Sequence, residues 1–437
     1  MSATFDELEV RSAEVREAQL LKALPLQIAH AQSRSAAFAV ILAGVDAAGV
    51  TSREALAQLP VTRKYDLQER QAAARHGVGV GGAVGGAGPD GNRDLFGGFS
   101  TLGLGAGMPR VFCSPGPIYE PEARRGDYWR VARALFASGF RAGDLVHNSF
   151  SYHFMPAGFM MEGGAHALGC TVFAAGTGQT EQQVQAIEQL CPAGYVGTPS
   201  FLKIILDKAA EMGVALPSLR KAMVGGEAFP PSLRDWLTAQ GVDAYQCYAT
   251  ADLGLIAYET SAREGLVTDE GILIEIVRPG TGTLVQAGEV GELVVTTFNP
   301  DYPLIRYGTG DLTAILPGHC PTGRSNTRIK GWLGRADQTT KVRGLFVHPA
   351  QVQAIASRFA ADVTRVRLVV SGDMAMDVMT LQVETPWAET ESVNASLKDK
   401  IAESIRDVTK LRGNVALVPV GSLPNDGKVI EDARSYR

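Results

Sequence analysis

Residues 110–260 alternate short apolar runs with segments of helical periodicity, and this alternation constrains the fold more than any other feature. Apolar runs at 145–148, 171–174 and 221–224 are each followed by a helical pattern. Strand, helix and strand in turn require right-handed crossovers, and such crossovers build a parallel sheet. The sequence therefore predicts an α/β fold in which helices flank a parallel sheet.

Three other segments differ from this core. Residues 1–75 have leucines at near-helical spacing, which predicts an all-helical entry segment. Residues 76–95 are rich in glycine, which disfavours helix and strand interiors and predicts an exposed loop without function. Residues 271–315 alternate apolar and polar positions between glycine-rich turns, which predicts antiparallel hairpins and a small β-barrel.

The last hundred or so residues predict a second domain. Their order of patterns is β-α-β-β-α-β, which is typical of a small α+β sandwich. We therefore predict a large multi-subdomain N-terminal domain over 1–334, a hinge over 335–338 and a small C-terminal lid domain over 339–437.

Composition excludes several classes of protein. A chain of 437 residues exceeds what one hydrophobic core usually supports, so two or more domains are expected. The net charge of -5, without a block of lysines and arginines, argues against nucleic acid or a membrane as partner. Five scattered cysteines suit a reducing compartment. We recognise no signal peptide and no run that would span a bilayer, so we expect a cytoplasmic protein.

The stretch 302–349 carries the most specific motifs, R-Y-G-T-G-D at 306–311 and G-R-A-D at 334–337. These motifs resemble R-Y-x-T-x-D-L and G-R-x-D of the adenylate-forming enzymes. Further runs are similar to motifs of the phenylacetate–coenzyme A ligase branch, and they lie at 176–183, 197–201 and 224–229. The resemblance covers the chain roughly from Phe96 to Arg434.

The resemblance implies ATP-dependent activation of a carboxylic acid, aryl or arylacetic, to an acyl adenylate and then to a coenzyme A thioester. It also implies that the small domain rotates between the two half-reactions. In this family the aspartate that aligns with Asp311 binds the ribose hydroxyls, since a carboxylate accepts charge-assisted hydrogen bonds. The alternative for Asp311 is a loop carboxylate that pairs with Arg306.

Further nucleotide contacts are implied around the adenine. Two glycines before Glu227 would let the backbone lie flat against the base, although an ordinary strand-to-helix turn also explains them. The run 248–252 occupies the place of Y-G-x-[ST]-E, whose aromatic residue stacks on adenine and whose acid, here Asp252, holds Mg²⁺. A satisfied loop acid is the alternative for Asp252. The implied nucleotide-binding residues are Ser114, Gly116, Gly225, Gly226, Glu227, Tyr248, Ala249, Thr250, Asp311 and Arg335.

The phosphate loop departs most sharply from the family. Relatives carry S-S-G-T-T-G-K-P, in which backbone N–H groups and hydroxyls bind the β- and γ-phosphates. Here residues 114–121 read S-P-G-P-I-Y-E-P, and proline has no N–H donor. Ser114 and Gly116 remain, whereas Glu120 places an acid where it would repel phosphates. Triphosphate binding is therefore expected to be weak, reshaped or absent.

The C-terminal domain supplies the remaining implied residues. L-P-N-D-G-K at 423–428 resembles the family's L-P-x-x-x-G-K, so Lys428 is the implied catalytic lysine. It would neutralise charge that develops between the carboxylate and the α-phosphate, and an exposed turn lysine is the alternative. Asp337 is the implied hinge residue. The implied coenzyme A contacts are Lys341, Arg343 and Gly344. The alternative is that Lys341 and Arg343 are solvated basic residues without a ligand.

The acid pocket is expected along residues 151–161 and beside 197–200. Aromatic and methionine side chains there would form an apolar wall suited to an aryl or medium acyl group. Plain core packing is the alternative. The predicted pocket residues are Tyr152, Phe154, Pro199 and Gly225.

We expect no zinc site. Several relatives have a Cys and a His after the magnesium motif, and a C-x-C-G-R run, which together can hold a zinc ion. Glu259 and Val267 stand in the first region here, and Cys320 alone remains in the second. One soft ligand is too few for a structural zinc site.

Three functions remain open. The first is an acid–coenzyme A ligase that uses ATP and Mg²⁺ on a small carboxylic acid, in a chain that the resemblance allows to form a homodimer. The second keeps the adenylation but transfers the acyl group to a carrier protein or an amine. The third is an impaired homologue that binds nucleotide or acid without turnover, because the phosphate loop is altered.

Overall fold

The computed structural model describes residues 4–76, 94–336, 340–347, 349–372, 376–388, 391–424 and 428–434. Most of the glycine-rich loop predicted at 76–95, and the hinge residue Asp337, lie outside these ranges. Contacts between Cα atoms divide the chain into two compact units. The first comprises 1–226 and 237–333, and the second comprises 227–236 and 334–437.

Helices and strands follow one another along both units. The α-helices are α1 (Ala13–Arg34), α2 (Ala36–Ile41), α3 (Arg53–Ala57), α4 (Lys64–Arg75), α5 (Ala132–Ala137), α6 (Ala157–Ala167), α7 (Thr180–Leu190), α8 (Pro199–Glu211), α9 (Pro231–Ala239), α10 (Pro349–Arg358) and α11 (Glu391–Thr409). Short 3-10 helices lie at Glu7–Val10 and Ala47–Gly49. The strands of the first half are β1 (Thr62–Arg63), β2 (Arg110–Ser114), β3 (Ile118–Glu122), β4 (Leu145–Asn148), β5 (Thr171–Ala174), β6 (Gly194–Gly197), β7 (Lys221–Val224), β8 (Asp243–Thr250), β9 (Gly254–Tyr258), β10 (Leu266–Thr268) and β11 (Ile272–Val277). The later strands are β12 (Gly291–Thr297), β13 (Tyr307–Thr313), β14 (Ile315–Leu316), β15 (Arg328–Ile329), β16 (Thr340–Val342), β17 (Leu345–Val347), β18 (Arg365–Ser371), β19 (Val378–Glu384), β20 (Asn414–Val418) and β21 (Ile430–Asp432).

The largest sheet of the first unit has the strand order β14-β15-β10-β9-β8-β7-β6-β4-β5. Its half from β5 to β8 is parallel, as the alternation along 110–260 predicts. These strands are short apolar runs because helices cover both faces of a parallel sheet. The core beneath includes Trp129, Phe140, Val146 and Met223. The predicted α/β class is confirmed.

A second sheet of this unit has the order β1-β13-β12-β11. Helices α1 to α3 pack on it through buried side chains such as Leu24, Phe38 and Leu56. The pairing does not close within the described residues, so the predicted small β-barrel is instead an open four-stranded sheet. The prediction that residues 1–75 are all helical was also wrong. The strand β1 pairs with β13 and is too short to leave a periodic signal.

Strand β2 was predicted from the same alternation as the parallel strands, but it lies elsewhere. It pairs with β3 in a two-stranded antiparallel hairpin, which we call the phosphate-loop hairpin because its turn includes residues 115–117. The register sets Phe112 opposite Glu120 and Ser114 opposite Ile118.

The second unit contains its own sheet, of order β20-β19-β18-β21, beside the β16–β17 hairpin. Helices α10 and α11 contribute Val352, Ile355, Leu397 and Ile401 to a core that also includes strand residues such as Leu381. Burial alternates along β19 as it does in a sheet with one covered face. Within the described ranges, neither unit has a helix with the length and apolarity needed to cross a bilayer.

Candidate active site

At the ends of β6 and β7, close neighbouring atoms leave little or no room for a side chain beyond glycine. A Cβ at Gly197 would lie 2.1 Å from the Tyr195 hydroxyl, and one at Gly225 would lie 3.0 Å from both the carbonyl oxygen and the Sγ of Cys247. The Gly225 N–H donates to the Gly197 carbonyl at 3.2 Å. Ligands of open α/β sheets bind at this edge of the strands.

Three further predicted residues, Pro199, Gly226 and Glu227, come shortly after these glycines in the chain. Pro199 is buried at the start of α8, where Thr198 caps the helix through the Phe201 N–H. Gly226 has a φ of 78°, in the left-handed region that glycine adopts without strain. Glu227 begins the segment 227–236, which belongs to the second unit.

Asp311, the predicted ribose ligand, is held by two aromatic side chains. The Tyr248 hydroxyl donates to Asp311 Oδ2 at 2.6 Å, and Trp332 Nε1 donates to Asp311 Oδ1 at 3.0 Å. These bonds connect β8, β13 and the chain before the second unit. The structure thus brings the predicted adenine and ribose residues together, and it adds Trp332, which the sequence did not single out.

Arg306, proposed as the alternative partner of Asp311, lies elsewhere. Its Nε atom pairs with Glu275 at 2.9 Å, and its Nη atoms donate to backbone carbonyls that include Ala57 at 2.8 Å and Gly282 at 2.9 Å. Burial raises the pKa of Glu275, and the guanidinium opposes that effect. The Asp311–Arg306 alternative is therefore wrong.

The phosphate-loop hairpin turns its acid inward. Glu120 is 2% exposed, and its Oε2 accepts the Ser114 N–H at 3.1 Å. Its Oε1 accepts the Ser114 hydroxyl. Two donors that the sequence predicted for phosphate are thus bonded to a carboxylate of the same hairpin.

Helix α4 fixes the position of this hairpin. Gln71 is fully buried and donates to the Tyr119 carbonyl at 2.9 Å while accepting the Tyr119 N–H at 2.8 Å. The side chain thus completes both backbone hydrogen bonds of that residue. Gln68 donates to the Gly116 carbonyl in the turn. At the first residue of the same helix, Lys64 lies 4.0 Å from Asp252 Oδ2.

Asp252, the predicted magnesium ligand, is 8% exposed and follows β8 in a turn that Thr250 caps. Its Oδ1 has no hydrogen-bonding partner within the described part of the chain. Burial, and then the charge of Asp252, raise the pKa of Glu120 to about 8, and the hydrogen bond from Ser114 and the charge of Lys64 oppose them.

A magnesium ion fits this donor set in part. Mg²⁺ at nucleotide sites is held by one or two carboxylates together with phosphates and waters. The unpartnered Oδ1 of Asp252 supplies one such oxygen. Among the residues that the structure describes, no group of three or more His, Cys, Asp and Glu side chains is placed to hold a metal.

The predicted acid pocket is an aromatic cluster beside the hairpin. The Tyr152 hydroxyl accepts from Asn148 Nδ2 at 2.8 Å and donates to Glu162 at 2.9 Å. Burial, followed by the Glu162 carboxylate, raises the pKa of Tyr152. Its ring meets Phe159 edge-on at 5.0 Å, and Phe159 contacts Phe112 of β2 at 5.5 Å.

Phe154 differs from the other predicted pocket residues. Its side chain is 80% exposed and its φ is 58°, so the ring lies in solvent rather than in the packed wall. Its carbonyl accepts the Cys113 N–H at 2.8 Å. The backbone at Phe154 thus connects the pocket loop to the phosphate-loop hairpin.

The second unit holds the remaining predicted residues. Lys428 is exposed, and Arg335 is half-buried. Arg343 has a φ of 48°, and its Nη2 and Nη1 atoms donate to the carbonyls of Asp377 at 2.9 Å and Arg412 at 3.4 Å. The nearby residues Lys341 and Gly344 lie in β16 and in the turn to β17.

The residues at the position of the relatives' zinc site each contact different neighbours. Glu259 accepts from the Gln246 N–H at 3.0 Å and pairs with Arg263 at 3.0 Å. The sulfur of Cys320 lies 3.3 Å from the Thr260 hydroxyl. Val267 is buried in the core.

Comparison with known proteins connects this geometry to a family. Residues 129–299 match the AMP-binding enzyme family, and residues 344–433 match the AMP-binding enzyme C-terminal domain. A phenylacetate-coenzyme A ligase of Thermus thermophilus is 30% identical over 410 residues, which cover 87% of each chain. The chain belongs to the AMP-binding enzyme family. A phenylacetate-coenzyme A ligase of Aromatoleum evansii is 32% identical to this AMP-binding enzyme over 329 residues, covering 72% of the chain and 74% of the relative.

Solved structures show the same fold. A 2-hydroxyisobutyryl-CoA ligase in complex with 2-HIB-AMP and CoA matches this AMP-binding enzyme with a TM-score of 0.80 and 24% identity. The match covers 100% of the present chain and 93% of that one. An amide bond synthetase of Marinactinospora thermotolerans matches with a TM-score of 0.53 and 18% identity, covering 74% and 68% of the two chains.

Sequence reasoning missed three residues of the site. Trp332 lies outside every motif, and its bond to Asp311 depends on the return of the chain after β15. Lys64 and Gln71 lie on α4, in a segment that the sequence predicted only to be helical. The burial of Gln71 indicates a hydrogen-bonding role, because buried polar side chains require partners, but that burial is visible only in the structure.

Proposed function

We propose that this AMP-binding enzyme activates a carboxylic acid with ATP and transfers the acyl group to coenzyme A. The observation that carries the proposal is the hydrogen-bonded trio of Tyr248, Asp311 and Trp332, which connects the large sheet to the four-stranded sheet. It supports a ribose site next to the glycine-lined backbone at Gly225. The relatives that cover most of the chain are named phenylacetate-coenzyme A ligase.

In the first half-reaction a carboxylate oxygen of the acid attacks the α-phosphorus of ATP. A new P–O bond forms, the bond to the β-phosphate breaks, and pyrophosphate leaves. In the second, the thiol of coenzyme A loses its proton and attacks the acyl carbonyl, a C–S bond forms, the acyl C–O bond to the phosphate breaks, and AMP leaves. Asp311 would hold the ribose, and Lys428 would neutralise charge that develops around the α-phosphate.

Asp252 would hold Mg²⁺, which supplies positive charge to the phosphates when it is bound. The adenine would lie against Gly225 to Glu227 and the ring of Tyr248. Ser114, Gly116, Ala249, Thr250 and Arg335 would complete the nucleotide site. Asp337 would act as the pivot of the small domain, and the contacts proposed for coenzyme A phosphates are Lys341, Arg343 and Gly344.

The aromatic cluster supports an aryl or arylacetic substrate. Tyr152, Phe159 and Phe112 form connected ring contacts, and Arg110 lies over the Phe159 ring at 4.2 Å. Aromatic rings provide large apolar contact with defined edge-to-face geometry, which suits a planar ring. A homodimer and a cytoplasmic location remain predictions.

Pyrophosphate release tests the proposal across aryl, arylacetic and alkyl acids, with thioester formation measured in parallel. Lys428→Ala should reduce release by about 100-fold or more, the usual effect of removing one preorganised charge. Lys398→Ala, at an exposed position of α11, is the matched control and should retain activity. Tight ATP binding without release for any acid would contradict the proposal.

A second candidate, nucleotide or acid binding without turnover, is favoured by one observation. The Ser114 N–H and hydroxyl are bonded to Glu120 rather than presented to solvent. Calorimetry together with the pyrophosphate assay distinguishes the two candidates. Binding without turnover predicts a measurable enthalpy of nucleotide binding and no release of pyrophosphate.

A further inference from the structure

The acid of the phosphate-loop hairpin keeps acceptor capacity after its local bonds are made. Each oxygen of Glu120 accepts one hydrogen bond from Ser114, from the N–H and from the hydroxyl. A carboxylate has about four lone-pair sites in total. One site therefore remains on each oxygen, in a side chain that is 2% exposed.

Asp252 is the second carboxylate of this region, and it is also buried. Lys64 Nζ lies 4.0 Å from its Oδ2, and the lysine side chain is 39% exposed. Oδ1 is buried and makes no hydrogen bond to any residue in the described ranges. One distant and partly solvated ammonium does not balance two buried carboxylates, whose burial is costly without a cation or a proton.

Two tyrosine hydroxyls next to these acids also lack partners. Tyr302 and Tyr307 are each 1% exposed, and neither hydroxyl oxygen has a hydrogen-bonding partner within the described residues. Burial raises the pKa of both, the charges of Asp252 and Glu120 add to that effect, and for Tyr307 a side-chain interaction with Asp252 contributes as well. Native proteins rarely leave buried polar atoms unsatisfied, except where water or an ion is bound.

We propose that Glu120 is a ligand, direct or through one water, of a divalent cation that it shares with Asp252. The hairpin would then contribute a metal ligand in place of the loop lysine of relatives. Mg²⁺ accepts this arrangement because it prefers carboxylate oxygens and retains several waters. The tyrosine hydroxyls would bond those waters. Triphosphate would be held here through the cation rather than through loop donors, and this part of the inference rests on the proposed use of ATP.

Manganese binding to the nucleotide-free full-length protein, followed by electron paramagnetic resonance, tests the inference without any substrate. We expect the wild type to bind Mn²⁺, and Glu120→Gln and Asp252→Asn each to weaken binding by about tenfold or more, the scale at which ligand-sphere changes act. Glu122→Gln is the matched control. It lies on the same strand but pairs with Arg110 at 3.0 Å, so its affinity should equal that of the wild type.

An unchanged Mn²⁺ affinity in Glu120→Gln, alongside a loss in Asp252→Asn, would overturn the inference and leave Asp252 as a metal ligand without Glu120. Absence of bound Mn²⁺ in the wild type at millimolar metal would overturn it equally. If circular dichroism shows that Glu120→Gln does not fold, Glu120→Asp serves, and its affinity should fall because its reach is shorter. Failure of pyrophosphate release with intact Mn²⁺ binding would reject the proposed function alone.

Discussion

The Tyr248 hydroxyl donates a 2.6 Å hydrogen bond to Asp311, and this bond joins the large mixed sheet to the four-stranded sheet. Asp311 is half-buried, and Trp332 donates to its second oxygen at 3.0 Å. Two donors therefore set the plane of the carboxylate before any ribose arrives. Preorganisation of this kind lowers the cost of binding a sugar hydroxyl.

Replacing Tyr248 with phenylalanine should keep the ring and remove this donor. A hydrogen bond to a charged group contributes about 1.5–3 kcal/mol, so the KM for ATP should rise roughly tenfold. Steady-state kinetics at saturating acid measures the change. Tyr65→Phe, at a residue that is 57% exposed on α4, is the matched control and should leave KM unaltered. Equal values for both variants would show that the bond does not orient Asp311.

Gly225→Ala should disturb the nucleotide edge of the sheet. The new Cβ would lie 3.0 Å from the backbone oxygen of Cys247, which cannot move freely because it belongs to β8. Overpacking of this kind costs about 1–3 kcal/mol. We expect weaker ATP binding by calorimetry and a lower free energy of unfolding in urea. Gly163→Ala is the control, because a Cβ in that helical position meets no atom within 4 Å among the described residues.

The control variant Gly163→Ala should itself change the stability of the protein. Alanine at Gly163, in the interior of α6, should stabilise the protein by about 0.5–1 kcal/mol, since glycine loses more backbone entropy on folding. Loss of stability in both variants would point to a general sensitivity to added methyl groups rather than to the contact with Cys247.

Gln71→Ala should loosen the phosphate-loop hairpin. Both backbone groups of the half-buried Tyr119 would lose their partner, and a buried group left unsatisfied costs about 1–3 kcal/mol, less where water replaces the lost bond. We therefore expect a loss of roughly 2–4 kcal/mol in urea unfolding and faster amide exchange along β2 and β3. Glu69→Ala, at an exposed position of the same helix, should change neither measurement. Unchanged amide exchange along β2 and β3 in Gln71→Ala would show that Gln71 does not hold the hairpin in place.

Buried His147 should make stability depend on pH. Burial lowers its pKa below the ordinary 6.5, although Gln183, 2.8 Å away, opposes the shift. The unfolded chain therefore binds the proton more readily, so this contribution is present above about pH 6.5 and is lost as the pH falls. Urea unfolding from pH 8 to pH 5 should show a steeper loss in the wild type than in His147→Gln. His166→Gln, an exposed control, should keep the wild-type slope.

The sequence predicted the parallel sheet well because its strands are short, buried apolar runs separated by segments of helical periodicity. A motif in the sequence predicted Asp311 as a ribose ligand, and a pairing with Arg306 was the alternative. Only the structure shows that Arg306 pairs instead with Glu275, which lies on another strand. Nothing local in the chain indicates that Arg306 meets β11.

The structure of the phosphate-loop hairpin could not be predicted from the sequence. Sequence reasoning expected Glu120 to repel phosphates and did not foresee that hairpin register would turn it toward Ser114. Side-chain direction in a strand reverses with each residue, so a shift of one position would have sent Glu120 to the other face. Trp332 and Lys64 were missed because their partners are distant along the chain and belong to no shared motif.

The contacts of helix α4 limit which loops can be exchanged between this enzyme and its relatives. Its first residue lies beside Asp252, and Gln71, two turns later, completes the backbone bonds of Tyr119. A glycine- and threonine-rich loop transplanted from another ligase would have to satisfy the same glutamine, or leave it buried without partners. The unit that can be grafted is therefore helix and hairpin together, and chimaeras that move residues 114–121 alone should fold poorly however well their motif matches.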